Sequence, residues 1–383
     1  AEKDKICSST TGNTTAKITF QHGLIYDKLI KNVGLEKAKQ YLTANKNALE
    51  KFKKMAEEFP CDFEEKDAFV YSATDRIKIE NEIKAYEKLG ISAEFVSSIP
   101  LPVECIGALK VKNQAQFNPL EFLFSVAKGL RIYENTKVLE FMPEKVVCSG
   151  GTVTAKRIIV ATHFPIINKH GGYSLKLYQD RSYVIAVKNG PDVKGMYLED
   201  QGNSFSFRNY KNYLLIGSGS HRTGKKSVGY KTSEDFCKKN FPDARIEYRF
   251  ATQDCMSLDG IPYIGEYSKG SENLYVATGF NKWGMTSSMV CADILSDIIT
   301  GVKNPYTDVF SPSRSSLHLK LFENIFHSVV GLITPTAPRC PHMGCALKYN
   351  KEEHSWDCPC HGSRFTQKGE LIDNPATDDL NKD

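Results

Sequence analysis

Apolar positions recur at helical spacing over residues 24–58, where Leu24, Ile25, Leu29 and Ile30 open a stripe that predicts an amphipathic helix. The period then changes. Residues 69–71 are strand-like, and residues 75–89 return to a charged helical pattern that Gly90 ends. Residues 93–112 offer short strands broken by Pro100 and Pro102, and Asn118-Pro119 opens a helix running to about Lys128, with Gly129 as its stop. Short strands are predicted around 131–134, 136–141, 145–148 and 157–161. The stretch 181–219 is β-rich, residues 274–278 form a strand, and residues 285–299 form a helix. Strands alternating with helices, interrupted by a β-rich insert, predict an α/β fold with a discontinuous second domain.

Length and charge narrow the class. A chain of 383 residues is too long for one core and predicts two or three domains. A net charge of +5, spread along the chain, supplies no basic stripe and argues against a nucleic-acid partner. No apolar run approaches 18 residues, so no transmembrane segment is expected. The charged start Ala1-Glu2-Lys3-Asp4-Lys5 is not a signal peptide, lacks an initiator Met and reads as beginning in mid-domain. Seven of the 11 cysteines are scattered singly, which fits a reducing compartment and a cytoplasmic location. The other four fall between 340 and 360 and need their own explanation.

That cluster reads Cys340-Pro341-His342-Met343-Gly344-Cys345, then Cys358-Pro359-Cys360-His361-Gly362-Ser363. Two thiolates and two imidazoles hold either a structural zinc or a [2Fe–2S] cluster with two histidines on one iron. One sulfur and one nitrogen per loop suits a cluster whose irons differ in ligands. The intervening His354 reads as surface and Trp356 as packing.

The double motif closely resembles the Rieske family over about 338–380. The resemblance implies Cys340 and Cys358 on one iron, His342 and His361 on the other, and a disulfide between Cys345 and Cys360, the pair found in the quinol-oxidising type. Asn374-Pro375-Ala376 matches the family's proline loop. Two departures stand out. Phe365 lies where high-potential members carry tyrosine, which predicts a potential in the lower half of the family's roughly −150 to +300 mV range. Only about 40 residues separate Gly301 from Cys340, so the usual β base hardly fits and a stripped-down module is expected.

The preceding 300 residues hold no complete dinucleotide fingerprint. Gly217 to Arg222 and Gly219 to Lys225 are near-misses that read as a strand-end turn. Other segments resemble the glycine/D-amino-acid oxidase-like FAD-dependent oxidoreductases. Thr10-Thr11-Gly12-Asn13-Thr14-Thr15-Ala16-Lys17 resembles the segment under the flavin and pyrophosphate. Thr136-Lys137-Val138 resembles the adenine-side strand, and Arg157 to His163 the strand and turn that approach the cofactor. Asp259-Gly260-Ile261-Pro262-Tyr263-Ile264-Gly265 and Gly279-Phe280-Asn281-Lys282-Trp283-Gly284-Met285-Thr286 match two late family motifs. The resemblance thus implies cofactor contacts from Glu2, Thr11, Gly12, Thr15, Lys17, Val138, Ala161, Thr162, Gly265, Gly279, Gly284, Met285 and Thr286. Glu2 takes the place of the ribose-binding acid that closes the second strand. The chain is therefore expected to begin just after the pyrophosphate loop, lacking roughly 30 residues of a βαβ unit.

The expected architecture is an α/β FAD-binding, glutathione-reductase-like fold, incomplete at its N-terminus, with an inserted β-rich substrate domain and a small β Rieske module. Residues 1–302 form the oxidoreductase, with FAD-binding parts at about 1–60, 118–165 and 256–302 and substrate parts at about 61–117 and 166–255. A linker covers 303–330 and the cluster module 331–383. Arg208, His221 and Arg222 are the cationic candidates for a substrate carboxylate, since arginine offers a bidentate fork. His22 and Lys17 are placed near the flavin or in capping roles, and Cys255 and Cys291 are read as buried small hydrophobes. The expected function is oxidation of an amine or amino-acid-like small molecule, with electrons passing from FAD to the cluster and, through its exposed histidine edge, to an unidentified one-electron acceptor. The alternative is a non-catalytic electron-transfer or redox-sensing protein with a relic flavin domain.

Overall fold

The computed structural model describes residues 1–167, 170–314, 319–335 and 338–380. Its largest sheet has nine strands. In spatial order these are Lys17–Ile18, Gly107–Gln116, Glu64–Ser72, Met196–Glu199, Ser206–Tyr210, Tyr213–Arg222, Leu177–Lys188 and Arg245–Ser257, with Glu94–Val96 added beside Gly107–Gln116. Neighbours are antiparallel except Glu64–Ser72 and Met196–Glu199, whose parallel pairing joins two chain-distant parts of the sheet. Alternation over the first half of Leu177–Lys188 turns Leu177, Gln179, Arg181 and Tyr183 to one buried face, and the strand is buried on both faces from Tyr183 to Val187.

Two smaller sheets lie in the remainder of the N-terminal region. Ile158–Val160 pairs in parallel with Leu274–Thr278, which pairs antiparallel with Tyr263–Glu266. Val138–Met142, Lys145–Cys148 and Gly151–Thr154 form a meander. The main core joins Tyr41, Leu49 and Phe52 of the helix Leu35–Glu58 to Val290 and Ile294 of the helix Gly284–Thr300. The predicted single helix over 24–58 is two, Tyr26–Val33 and Leu35–Glu58, because Gly34 adopts φ 85° between them.

The structure adds elements that periodicity did not reveal: the helix Lys231–Asn240, the long strand Arg245–Ser257, and the helix Leu319–Ile333. The last lies in the segment expected to be a linker. It is anchored by buried Asn324, whose Nδ2 donates to Leu175 O at 3.0 Å and Leu177 O at 3.1 Å. Its outer face exposes Phe322, Phe326 and Ile333. No strand forms at 131–134.

The C-terminal module is a four-stranded antiparallel sheet, Lys348–Asn350, Ser355–Asp357, Arg364–Thr366 and Leu371–Asp373. Its small core contains Leu347, Phe365 and the four clustered cysteines.

Candidate active site and cluster site

The two Cys/His loops close in the same way. Gly344 N–H donates to Cys340 O at 2.8 Å, and Gly362 N–H to Cys358 O at 2.9 Å. Both glycines are left-handed, at φ 74° and 87°, as so tight a turn requires. Cys340 and Cys358 are each 1% exposed, and their sulfurs are in hydrogen-bond contact. That contact, with donation from the His342 and Met343 amides and Ser363, pulls the Cys340 thiol down to about 7, while the shared proton and burial push Cys358 up. The imidazoles of His342 and His361 meet edge to face with centroids 5.0 Å apart. Burial lowers His342 to about 4 and His361 to about 3, so both are neutral. His361 Nδ1 is buried without a hydrogen-bond partner. A thiolate-forming sulfur pair beside neutral imidazoles, one with an orphaned nitrogen, is the donor set a metal centre needs. Cys345 and Cys360 form a disulfide joining the loops, with Cα atoms 6.7 Å apart. His354 is exposed, and Trp356 packs on Tyr349.

The expected exposed histidine edge is not found at His361. This residue is 2% exposed, because the N-terminal region covers it: its ring meets Phe164 at 6.3 Å and hydrogen-bonds the Ser174 backbone. Only His342 of the pair is partly exposed.

Several of the segments expected at the flavin converge. Thr286 Oγ1 donates to Thr19 O at 3.2 Å and meets His22 Nε2 at 3.0 Å, tying the start of the helix Gly284–Thr300 to the chain after Lys17. Thr10 Oγ1 donates to Gln253 O at 2.7 Å, and Thr278 Oγ1 donates to His163 O. Residues 10–22, 161–164, 253–257 and 278–286 are thereby brought to one place. The helix starts at Gly284 with no side-chain cap, so its first N–H groups and positive dipole end are available to an electronegative ring edge. Gly279, at φ 71°, turns tightly against Leu177 and Ser257. A Cβ on Gly12 would fall 2.1 Å from Cys7 O, so that turn requires glycine. Met285 follows in the first turn. These features fit the flavin end of a dinucleotide.

Other expected contacts have different surroundings. Thr286 faces inward, and Gly265 packs under Pro312. Ala161 is exposed, while Thr162 O accepts from Asn374 Nδ2 of the C-terminal module. Glu2 pairs through its backbone with Tyr133 and Thr136, next to Val138. His22 is a core residue, bonded to Tyr41 at 2.7 Å and stacked on Trp283 at 4.8 Å. Burial lifts the Cys255 and Cys291 thiols to about 12, consistent with inert packing.

The three cationic candidates are not brought together. Arg208 is 3% exposed, and its Nε and Nη1 have no hydrogen-bond partner. Lys17 Nζ, which donates to Ser206 Oγ at 2.6 Å and Thr15 Oγ1 at 3.2 Å, feels the Arg208 charge; burial and then that charge lower it to about 7. His221 instead stacks on Tyr183 at 5.9 Å and bonds Gly219 O at 2.9 Å. Arg222 corrects the expectation outright. Its Nε donates to Pro359 O at 3.1 Å and its Nη2 to Cys360 O at 2.8 Å, so it grips the second cluster loop. Carbonyl oxygens 137 and 138 residues away in sequence satisfy a guanidinium as well as a carboxylate does. Sequence reasoning also missed Gln179 and Gln253, fully bonded buried amides beside that loop. Polar side chains on the buried face of an alternating strand were the available signal.

Residues 1–298 match the family described as FAD dependent oxidoreductase, and residues 323–382 match the Rieske [2Fe-2S] domain. A Bacillus subtilis protein named as a Rieske 2Fe-2S iron-sulfur protein, YhfW, is 36% identical over 440 aligned positions, covering 98% of this chain and 86% of its own. Among solved structures, glycine oxidase from Geobacillus kaustophilus aligns with TM-score 0.68 and 17% identity over 82% of this chain and 91% of its own. L-proline dehydrogenase from P. horikoshii aligns with TM-score 0.66 and 17% identity over 82% and 89%. No helix among the described residues is long and apolar enough to cross a membrane. The two domain matches imply FAD and a Rieske [2Fe-2S] cluster as cofactors, and the chain belongs to the FAD dependent oxidoreductase family, with a Rieske domain at its C-terminal end.

Proposed function

We propose that the protein oxidises a small amine or amino-acid-like substrate bearing a carboxylate and passes the electrons singly to its Rieske cluster. The observation that carries this reading is Arg208, a buried guanidinium with two unpartnered N–H-bearing nitrogens, beside Lys17. A buried fork with no hydrogen-bonded anion calls for a planar one, and a carboxylate fits it bidentately. Flavin supplies two-electron hydride acceptance, and the cluster one-electron transfer. Lys17, lowered to about 7, is neutral in an appreciable fraction of molecules near neutral pH, so it limits charge repulsion with Arg208 while still donating to Ser206. The turn 161–164 touches both the Asn374 side chain and the segments at the flavin end, which favours a short path between the two centres. The residue boundaries of the oxidoreductase and cluster modules, about 302 and 331, belong to the same proposal.

Anaerobic stopped-flow reduction tests it. A carboxylate-bearing amine is expected to bleach the flavin and then reduce the cluster, and Arg208→Met to raise KM about 10–100-fold, the loss of a charged hydrogen bond. An analogue without the carboxylate should be indifferent to Arg208→Met. Flavin that bleaches while the cluster stays oxidised removes the relay. A flavin that no such amine bleaches favours a redox-sensing role for the cluster alone.

A further inference from the structure

Four consecutive carbonyl oxygens of the second cluster loop accept hydrogen bonds from flavoprotein side chains. Pro359 O and Cys360 O take the Arg222 fork at 3.1 and 2.8 Å. His361 O takes Gln179 Nε2 at 3.0 Å, and Gly362 O takes Gln253 Nε2 at 2.9 Å. The two glutamines are joined to each other at 2.9 Å, and Gln253 Oε1 accepts from Thr223 Oγ1 at 2.9 Å. Gln179 also reaches the proline loop, at Asn374 O, 2.8 Å away. So close a fit uses a glycine from each side. A Cβ on Gly224 would lie 2.5 Å from Pro359 N, and one on Gly362 would lie 2.6 Å from Gln179 Cβ.

The orientation of these peptides matters. In a trans peptide the C=O and N–H point in opposite directions. The peptide that presents Pro359 O to Arg222 directs the Cys360 N–H the other way, and the next presents Cys360 O to Arg222 and directs the His361 N–H. Both N–H groups hydrogen-bond the sulfur of Cys358. Each of these peptides therefore connects the guanidinium on one side to a cluster-ligand sulfur on the other, and hydrogen bonds in series polarise one another.

We propose that Arg222, Gln179 and Gln253 are positioning residues through which the flavoprotein sheet sets the reduction potential of the Rieske cluster. The guanidinium fixes and polarises the two peptides that donate to Cys358, stabilising the extra negative charge of the reduced state and raising the potential. The glutamines hold the remaining two carbonyls of the loop in the same register. This inference rests on a cluster held by Cys340, His342, Cys358 and His361, not on electron transfer from the flavin.

The test is an EPR-monitored redox titration of the full chain with FAD and cluster bound. Soluble mediators reduce the cluster directly, so the readout stands even if the flavin never donates to it. Arg222→Met is expected to shift the cluster potential to more negative values and change its EPR g-values, leaving the FAD potential unchanged. Arg222→Lys keeps the charge without the fork and should give a smaller shift in the same direction. The isosteric Gln179→Glu, which sets a carboxylate against His361 O, should also lower the potential. Wild-type potential and g-values in Arg222→Met and Gln179→Glu would overturn the proposal. Should Arg222→Met fail to accumulate, the same wild-type result in Gln179→Glu and Arg222→Lys would overturn it.

Discussion

Ser363 is fully buried, accepts from Ala376 N–H at 2.9 Å and hydrogen-bonds Cys340. It is a hydroxyl donor aimed at the Cys340 sulfur, one of the four proposed cluster ligands. Phe365, two positions on, is equally buried but brings no hydroxyl. Donors at the sulfurs stabilise the reduced cluster, so a potential in the lower half of roughly −150 to +300 mV is expected, lower still in Ser363→Ala and higher in Phe365→Tyr. A potential above the middle of that range, or no response to Ser363→Ala, would contradict this account. The two Cys/His loops and the Cys345–Cys360 pair were legible in the sequence because their chemistry is written in contiguous loops of six residues. Arg222 was misread for the opposite reason: a cation's partner is a property of the fold, and its acceptors lie in another module.

At the scale of elements, alternation and helix punctuation recovered the helices 76–88, 119–127 and 284–300 and most of the large sheet. The split at Gly34 escaped because helical spacing continues across it, and the strand Arg245–Ser257 because its solvent side dilutes the pattern. A fully buried carboxylate, Glu82, shows what such patterns conceal. From the helix Arg76–Lys88 it accepts from the Tyr26 and Asp27 amides at 2.7 and 2.9 Å, capping the helix Tyr26–Val33 from outside. Burial outweighs those two bonds and raises its pKa from 4.5 to about 7. The folded state therefore binds this proton more tightly than the unfolded chain. Its contribution to stability is fully present below about pH 4.5 and is lost as pH rises through 7, by roughly 3 kcal/mol in all. The melting temperature should fall between pH 5 and 7.5 more steeply in the wild type than in Glu82→Gln, which cannot titrate. Equal slopes in the two proteins would show that Glu82 is not the group responsible.

At the scale of the whole molecule, the flavoprotein sheet and the cluster module are joined by direct contacts rather than by a tether alone. Beyond the cluster loop, an ion network crosses the same boundary. Arg181 of the large sheet pairs with Glu353, Arg364 bonds Glu353 at 3.1 Å, Asp357 at 3.0 Å and Asp373 at 3.1 Å, and both arginines are about 5% exposed. Removing one member of a buried pair is costly because the other keeps its desolvation penalty, typically about 3 kcal/mol or more. Here Arg364 still serves Glu353, so Arg181→Met should weaken the docking without unfolding the small module. In the wild type, cluster bleaching and loss of flavoprotein structure on heating should coincide, since the carbonyl contacts and the ion network couple the two modules. In Arg181→Met the cluster absorbance should be lost at a lower temperature than the far-ultraviolet circular dichroism, opening a gap between the two curves. Curves already separate in the wild type would mean that the modules unfold independently; curves still coincident in the variant would mean that the carbonyl contacts of Arg222, Gln179 and Gln253 suffice to hold them together.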